Sequence, residues 1–127
     1  MNIVFCVDRG VLPGLHVAAY SLLDRTHPVA GKMHFSVFSD GLQETDMVLL
    51  RQTLTRTGKP FELELRRLDP TVLTGFPPLN GSLAAYYRLL AAQVMAVDRF
   101  LYVDADTLCD LDVSELQTRD MGAAPAG

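Results

Sequence analysis

The sequence predicts an α/β domain built on an open, mostly parallel β-sheet. Three observations lead to this fold class: apolar runs of strand length, segments of helical periodicity between them, and turn residues at the junctions. Residues 2–8 (NIVFCVD) form the first run, and an apolar run that ends in an acid is typical of a strand buried on both faces. Parallel strands are joined by right-handed crossovers, and ligands bind beyond their carboxyl ends.

Two β-α units are expected in the first half of the chain. Pro13 can open the first helix because its missing N–H would be unpaired at that position. The apolar residues expected on one face of this helix are Leu15, Ala18, Ala19 and Leu22. Residues 33–39 repeat the strand pattern, and a second helix ends before residues 58–60. The apolar residues that predict this second helix are Met47, Leu50 and Leu54.

The second half continues the alternation. Apolar and charged residues alternate over residues 61–66, which predicts a strand with one solvated face near a sheet edge. Residues 69–81 carry three of the seven prolines and predict a long irregular connection. Ser82 then caps a helix expected to reach about Val97. Residues 100–103 predict a short buried strand, and residues 111–127 show only weak periodicity.

Composition excludes several classes of protein. A formal net charge of -4 offers no basic face for nucleic acid or anionic lipid. The longest apolar run, residues 3–7, is far shorter than the roughly 20 residues of a membrane span, and no basic residue precedes it as in a secretory signal. We therefore expect a cytoplasmic protein without a transmembrane segment. Cys6 and Cys109 lack metal-ligand spacing and are expected to be reduced.

An acidic triplet, Asp104-Ala105-Asp106, follows the last predicted strand. Residues two apart in extended backbone point to the same side, so both carboxylates could face one point in the cleft. A hard divalent cation would relieve their repulsion while keeping positions for phosphate oxygens, which favours Mn²⁺ or Mg²⁺ over zinc. Such an ion would neutralise a departing diphosphate, as transfer from a nucleotide diphosphate donor requires. The alternative is a solvated turn at a strand end.

Other candidates also have two interpretations. Eleven aspartates predict about one Asp-x-Asp by chance, and the chain has a second, Asp110-Leu111-Asp112, which follows no apolar strand. Asp8 could bind a base or ribose, or could cap the turn after its strand. Arg88 could pair with phosphate or with a surface acid. Tyr86 and Tyr87 are expected to pack, Cys6 is expected in the core, and no histidine is assigned chemistry.

The pattern resembles the family 8 glycosyltransferases. Ile3-Val4-Phe5-Cys6-Val7-Asp8 is similar to the start of that family. Tyr87-Arg88-Leu89 leads through Phe100-Leu101-Tyr102-Val103 into Asp104-Ala105-Asp106-Thr107-Leu108, which resembles the tyrosine-x-arginine helix and the Asp-x-Asp strand end of the family, in the same order and spacing.

The resemblance implies a GT-A fold, a Rossmann-like open sheet that binds a nucleotide-diphospho-sugar. It also implies manganese-dependent, retaining transfer of a hexose from a UDP-sugar to a hydroxyl of a saccharide, such as lipopolysaccharide, or another acceptor. Asp104 and Asp106 would hold the metal, with Ala105 between them in the donor site. Asp8 and the backbone of Cys6 and Val7 would bind the uridine, and Arg88 the diphosphate or sugar. No catalytic nucleophile is implied.

This sequence departs from the family pattern in two places. Gly10-Val11 stands where family members often have Asn-Tyr, whose tyrosine stacks on uracil. The downstream His-x-x-Gly-x-x-Lys-Pro segment, which supplies a metal-binding histidine, does not occur in residues 1–127. We therefore expect a single nucleotide-sugar-binding part of a longer transferase, truncated before its C-terminal half, with little activity of its own. The parent would be cytoplasmic or peripheral at the inner membrane face, and the uncovered sheet edge would favour self-association.

Three other classes remain as alternatives. Phosphatases of the haloacid-dehalogenase type also use Asp-x-Asp at a strand end, but Thr107-Leu108 follows Asp106 one residue too early for their pattern. A non-catalytic nucleotide-sugar-binding module would keep the fold without turnover. A dinucleotide-binding dehydrogenase is disfavoured because residues 9–14 lack the three-glycine fingerprint.

Overall fold

A computed structural model describes residues 1–27, 31–67, 69, 71, 75–77 and 84–122. Its strands are β1 (Asn2–Cys6), β2 (Met33–Phe38), β3 (Phe61–Arg66) and β4 (Leu101–Tyr102). Its helices are α1 (Leu12–Arg25), α2 (Glu44–Thr55) and α3 (Ala84–Val94), with 3₁₀ turns at Arg9–Val11 and Ser114–Gln117. The alternation of strands and helices is as predicted.

The four described strands form one parallel sheet in the order β3-β2-β1-β4. Ile3 of β1 lies in register with Phe35 of β2 on one side and with Leu101 of β4 on the other. The chain therefore builds outward from β1 to β2 and β3, and then returns to place β4 on the opposite side of β1. The strand order reverses between β1 and β4, so the crevice between their carboxyl ends is where this topology binds ligands.

Both faces of β1 are covered, which explains its continuous apolar sequence. Ile3 and Phe5 join the main core against α1 and α2, whereas Val4 packs with Phe38 and Ala91 on the face that carries α3. The apolar residues predicted for the inner faces of α1 and α2 are all buried there. Because β1 is an internal strand, its carboxyl end lies between those of β2 and β4.

The strand Phe61–Arg66 lies at the sheet edge, as its alternating pattern predicted, with its charged residues largely exposed. The helix expected to reach about Val97 ends at Val94, where Met95 makes a last helical bond to the carbonyl of Ala91 before the chain turns toward β4. Ser82, most of the 69–81 connection and residues 123–127 lie outside the described residues.

The last strand differs from the prediction in length and burial. It comprises only Leu101 and Tyr102, and both are half-buried rather than buried. The physical reason is its position, because β4 pairs with β1 on one side and with no other strand of the described part of the chain. No helix among the described residues has both the length and the apolar character needed to cross a bilayer.

Candidate functional site

An aspartate follows each of three strands at one edge of the sheet. Asp8, Asp40 and Asp104 each come two residues after the strand that carries them, β1, β2 and β4. Since all the strands are parallel, these acids lie at the same, carboxyl edge. Asp8 and Asp104 border the point where strand order reverses, as the sequence predicted for the candidate site.

Asp8 has a structural role in this arrangement. Its Oδ1 accepts the N–H of Gly10 at 2.8 Å, which caps the Arg9–Val11 turn. The other carboxylate oxygen has no hydrogen-bond partner among the residues that the structure describes. The backbone N–H of Val7 already has a partner, because it donates to the carbonyl of Phe38 at 3.0 Å. The capping interpretation of Asp8 is thus confirmed, with one oxygen left for a ligand.

Asp104-Ala105-Asp106 is a turn and not an extended segment. The N–H of Val103 still donates to the carbonyl of Val4 at 3.0 Å, but Thr107 then closes the turn on the carbonyl of Asp104, through its N–H at 3.3 Å and its hydroxyl at 2.7 Å. The expectation that extended backbone aligns the two carboxylates is therefore wrong. Ala105 is buried in the main core, whereas Asp104 and Asp106 are exposed. The buried alanine therefore anchors the turn to the core.

Asp104 of the turn and Arg88 of α3 both influence the electrostatics of groups on β1 and β4. Burial raises the pKa of the Cys6 thiol to about 12, with the Asp104 carboxylate adding to the rise and the Arg88 guanidinium opposing it. Burial also raises the pKa of Tyr102, and again Asp104 adds to the shift while Arg88 opposes it. Asp104 and Arg88 therefore act on the same two groups, which brings the three predicted residues Cys6, Arg88 and Asp104 into one site. Cys6 is half-buried there, at the border of the core and not inside it.

The charges of this site are not neutralised internally. Arg88 is exposed and forms no ion pair with any described residue, and the same holds for Asp104 and Asp106. By contrast, the second Asp-x-Asp is used structurally: Asp110 pairs with Arg25 at 3.5 Å, and Asp112 accepts the N–H of Ser114 at 2.9 Å. That bond also lowers the pKa of Asp112. The two Asp-x-Asp patterns therefore differ in their interactions. Asp110 and Asp112 bind other parts of the chain, whereas Asp104 and Asp106 form no ion pair with a described residue.

The donor set of the Asp104–Asp106 turn fits a hard divalent cation. Two exposed carboxylates that lack a cationic partner provide the oxygen ligands that Mn²⁺ and Mg²⁺ prefer. Within the described ranges, no group of three His, Cys, Asp or Glu side chains forms a fuller set of ligands. The two aspartates would therefore supply part of the coordination and leave the remaining positions to water, phosphate or other ligands.

Sequence reasoning missed one residue beside this site. Gly14 in α1 faces the turn so closely that a Cβ built on it would lie 2.5 Å from the carbonyl oxygen of Ala105. A glycine within a helix is a signal that could have pointed to such a contact. Tyr87 is fully buried, as expected, but its hydroxyl has no hydrogen-bond partner among the described residues. Neither Cys6 nor Cys109 forms a disulfide.

Comparison with known proteins identifies relatives of this architecture. The chain matches the family model described as glycosyl transferase family 8 over residues 2–127. It is 28% identical over 131 residues to a lipopolysaccharide 1,2-glucosyltransferase of Escherichia coli (strain K12), a match that covers 99% of this chain and 37% of the relative. A second Escherichia coli lipopolysaccharide 1,2-glucosyltransferase is 28% identical over 118 residues, covering 91% and 34%. The chain thus spans little more than a third of the length of these curated relatives.

Solved structures show the same fold. The active-site mutant Q189E of LgtC superimposes with a TM-score of 0.78 at 29% identity, covering 96% of this chain and 43% of that one. The galactosyltransferase LgtC in complex with donor and acceptor sugar analogues gives a TM-score of 0.79 at 26% identity, covering 96% and 44%. The predicted GT-A fold is confirmed by these matches.

Proposed function

Because the chain belongs to glycosyltransferase family 8, we propose that it carries the donor-binding part of an enzyme that transfers a hexose from a UDP-sugar to an acceptor hydroxyl. The acceptor oxygen forms a bond to the anomeric carbon on the same face as the departing group. The bond from that carbon to the β-phosphate oxygen breaks, and the hydroxyl proton passes to the departing UDP. The configuration at the anomeric carbon is retained.

One observation carries this proposal. Arg88, Asp104 and Asp106 place an exposed cation and two exposed anions at the strand-order reversal between β1 and β4, and none of them forms an ion pair with a described residue. A diphosphate sugar needs this combination, because a guanidinium pairs directly with phosphate oxygens whereas carboxylates reach them only through a cation. Exposed charges also occur in solvated turns, but these three lie at the strand-order reversal, where ligands bind in this topology.

In this proposal, each candidate residue contacts a different part of the UDP-sugar donor. Asp104 and Asp106 would hold Mn²⁺ or Mg²⁺, and the bound ion would neutralise charge on the diphosphate leaving group. Arg88 binds the diphosphate or the sugar. The free oxygen of Asp8 and the backbone of Cys6 and Val7 contact the uridine, except for the Val7 N–H that is already bonded to Phe38. Ala105 holds the turn in place from within the core.

A saccharide is the acceptor class that the relatives favour. The curated relatives are named for glucosyl transfer to lipopolysaccharide, and the LgtC complex holds donor and acceptor sugar analogues. We propose a lipopolysaccharide-type saccharide hydroxyl as the acceptor of this enzyme.

The metal and donor sites can be tested together by calorimetry with UDP, with and without Mn²⁺. The test variant is Asp104→Asn/Asp106→Asn. The matched control is Asp110→Asn/Asp112→Asn, which makes the same chemical change in the same residue pattern a few positions later. We expect Mn²⁺ to strengthen UDP binding in the wild type and the control, and to have no effect in the test variant.

Other results would overturn the metal-site assignment or favour one of the alternative functions. Equal dependence on Mn²⁺ in all three proteins, or its loss only in the control, would overturn the assignment of Asp104 and Asp106. Metal-dependent UDP binding without hexosyl transfer would favour the binding-module alternative. Phosphatase activity that disappears in Asp104→Asn and does not respond to nucleotide sugar would favour the dehalogenase-like alternative.

A further inference from the structure

The contact between Gly14 and the Asp104–Asp106 turn is closer than any side chain would allow. A Cβ on Gly14 would lie 2.5 Å from the Ala105 carbonyl oxygen and 3.4 Å from its carbonyl carbon. Ordinary van der Waals contact begins at 3.4 Å, so the oxygen or the helix would have to move by about 0.9 Å to admit a methyl group. The obstacle is backbone, which cannot rotate away as a flexible side chain can.

Backbone conformation does not require a glycine at this position. Gly14 lies within α1 and is not among the described glycines with positive φ. Alanine is the better residue for a helix, because glycine gives up more conformational freedom there. The close approach to Ala105 is therefore the physical reason that position 14 has no side chain.

A second contact from the same helix fixes the segment after the turn. Ser21 is buried, and its hydroxyl accepts the N–H of Cys109 at 2.9 Å while donating to the carbonyl of Ala18 at 3.0 Å. Helix α1 thus contacts the backbone on both sides of Thr107, through Gly14 before it and Ser21 after it. Between these contacts the chain has little freedom to move relative to α1.

We propose that Gly14 is a positioning residue for the acidic turn: the missing side chain lets the Ala105 carbonyl lie against α1, and this sets where the carboxylates of Asp104 and Asp106 stand in the crevice. The inference rests on the proposed metal-binding role of those acids. Groups behind the direct ligands of a metal typically change its affinity by about 10- to 100-fold when they are altered. A displacement near 0.9 Å is in the range that disturbs a site of this kind.

The test compares Gly14→Ala with two controls in a Mn²⁺ titration, followed by the electron paramagnetic resonance signal of the free ion. Gly41→Ala is the matched control, because its Cβ would meet only the Cγ of Arg9, at an ordinary 3.5 Å. Leu50→Ala removes a fully buried core side chain of α2 and controls for loss of stability. We expect Gly14→Ala to weaken Mn²⁺ binding about 10- to 100-fold, with both controls unchanged.

The results separate the inference from the function on which it rests. If the wild type binds Mn²⁺ no better than Asp104→Asn/Asp106→Asn, the proposed metal site is wrong. If the wild type binds Mn²⁺ and Gly14→Ala binds it equally well, the metal site stands and the positioning role is overturned. Amide chemical shifts of ¹⁵N-labelled protein without metal provide an independent readout: changes centred on residues 104–109 support displacement of the turn, and their absence contradicts it.

A milder variant keeps the inference testable if Gly14→Ala does not fold. Ser21→Ala removes the acceptor of the Cys109 N–H without adding any atom. We expect it to weaken Mn²⁺ binding several-fold and to shift the amide signals of residues 107–109. Unchanged binding together with unchanged signals would overturn the role of α1 in placing the turn.

Discussion

Replacement of Tyr87 by Phe should stabilise the domain. The Tyr87 side chain is 0% exposed and packs against Cys6, Tyr86 and Leu90, yet its hydroxyl has no hydrogen-bond partner among the described residues. Burial raises the pKa of this hydroxyl and the nearby Asp40 carboxylate adds to the rise, without completing a hydrogen bond. The protein therefore bears most of the cost of dehydrating the hydroxyl, and only the attraction of the Asp40 carboxylate offsets part of it.

The size of the effect follows from this geometry. A buried hydroxyl without a partner costs about 1–3 kcal/mol, and Phe keeps the ring that fills the space. Some of that cost is offset by attraction to Asp40, so we expect the free energy of unfolding to rise by about 1 kcal/mol, or about 3–5 °C in Tm for a domain of this size. Urea denaturation and differential scanning calorimetry of the 127-residue chain would measure both quantities.

The neighbouring residue provides a control of opposite sign. The hydroxyl of Tyr86 donates to the carbonyl of Pro77 at 2.9 Å, so Tyr86→Phe loses a hydrogen bond and should cost about 0.5–1 kcal/mol. If Tyr87→Phe were as destabilising as Tyr86→Phe, the Tyr87 hydroxyl would have a partner in solution and the reasoning would be refuted. Asp40→Asn would then identify whether Asp40 is that partner.

Two further substitutions test the packing and the charges around the sheet. Leu50→Ala should lower the free energy of unfolding by about 2–5 kcal/mol in urea denaturation, because Leu50 is fully buried between α2 and the sheet, whereas Val48→Ala on the exposed face should change it by less than about 0.5 kcal/mol. Burial tends to raise the pKa of Glu64, but hydrogen bonds of 2.8 Å from Arg66 and from Ser36 lower it on balance. Ionised Glu64 therefore stabilises the fold above its unfolded pKa near 4.5. Glu64→Gln should cost under about 1 kcal/mol at pH 7, since the group is half exposed. Stability profiles of the two proteins should converge as the pH falls below 4.5 through the lower folded pKa, and a difference that persists at pH 2 would contradict this account.

The elements of the fold could be predicted from residues that are close together in the chain. The spacing of Leu50 and Leu54 sets one buried face of α2 wherever that helix packs, and the alternation over residues 61–66 requires a strand with one solvated face. These patterns are local consequences of helical and strand geometry. Asp104 and Asp106 could be selected as candidates because an apolar strand leads into them and because Tyr87-Arg88-Leu89 precedes them at a spacing that resembles the family pattern.

The sequence by itself therefore determined the alternation of strands and helices and the faces that are buried, and it supplied candidate residues for a diphosphate-sugar site. Tertiary structure decided which of two Asp-x-Asp patterns keeps its charges free, that the chosen one is a turn and not a strand, and that Gly14 supports it. The physical reason is that these properties depend on neighbours brought together by the order β3-β2-β1-β4. Such contacts join residues far apart in the chain, and no local periodicity records them.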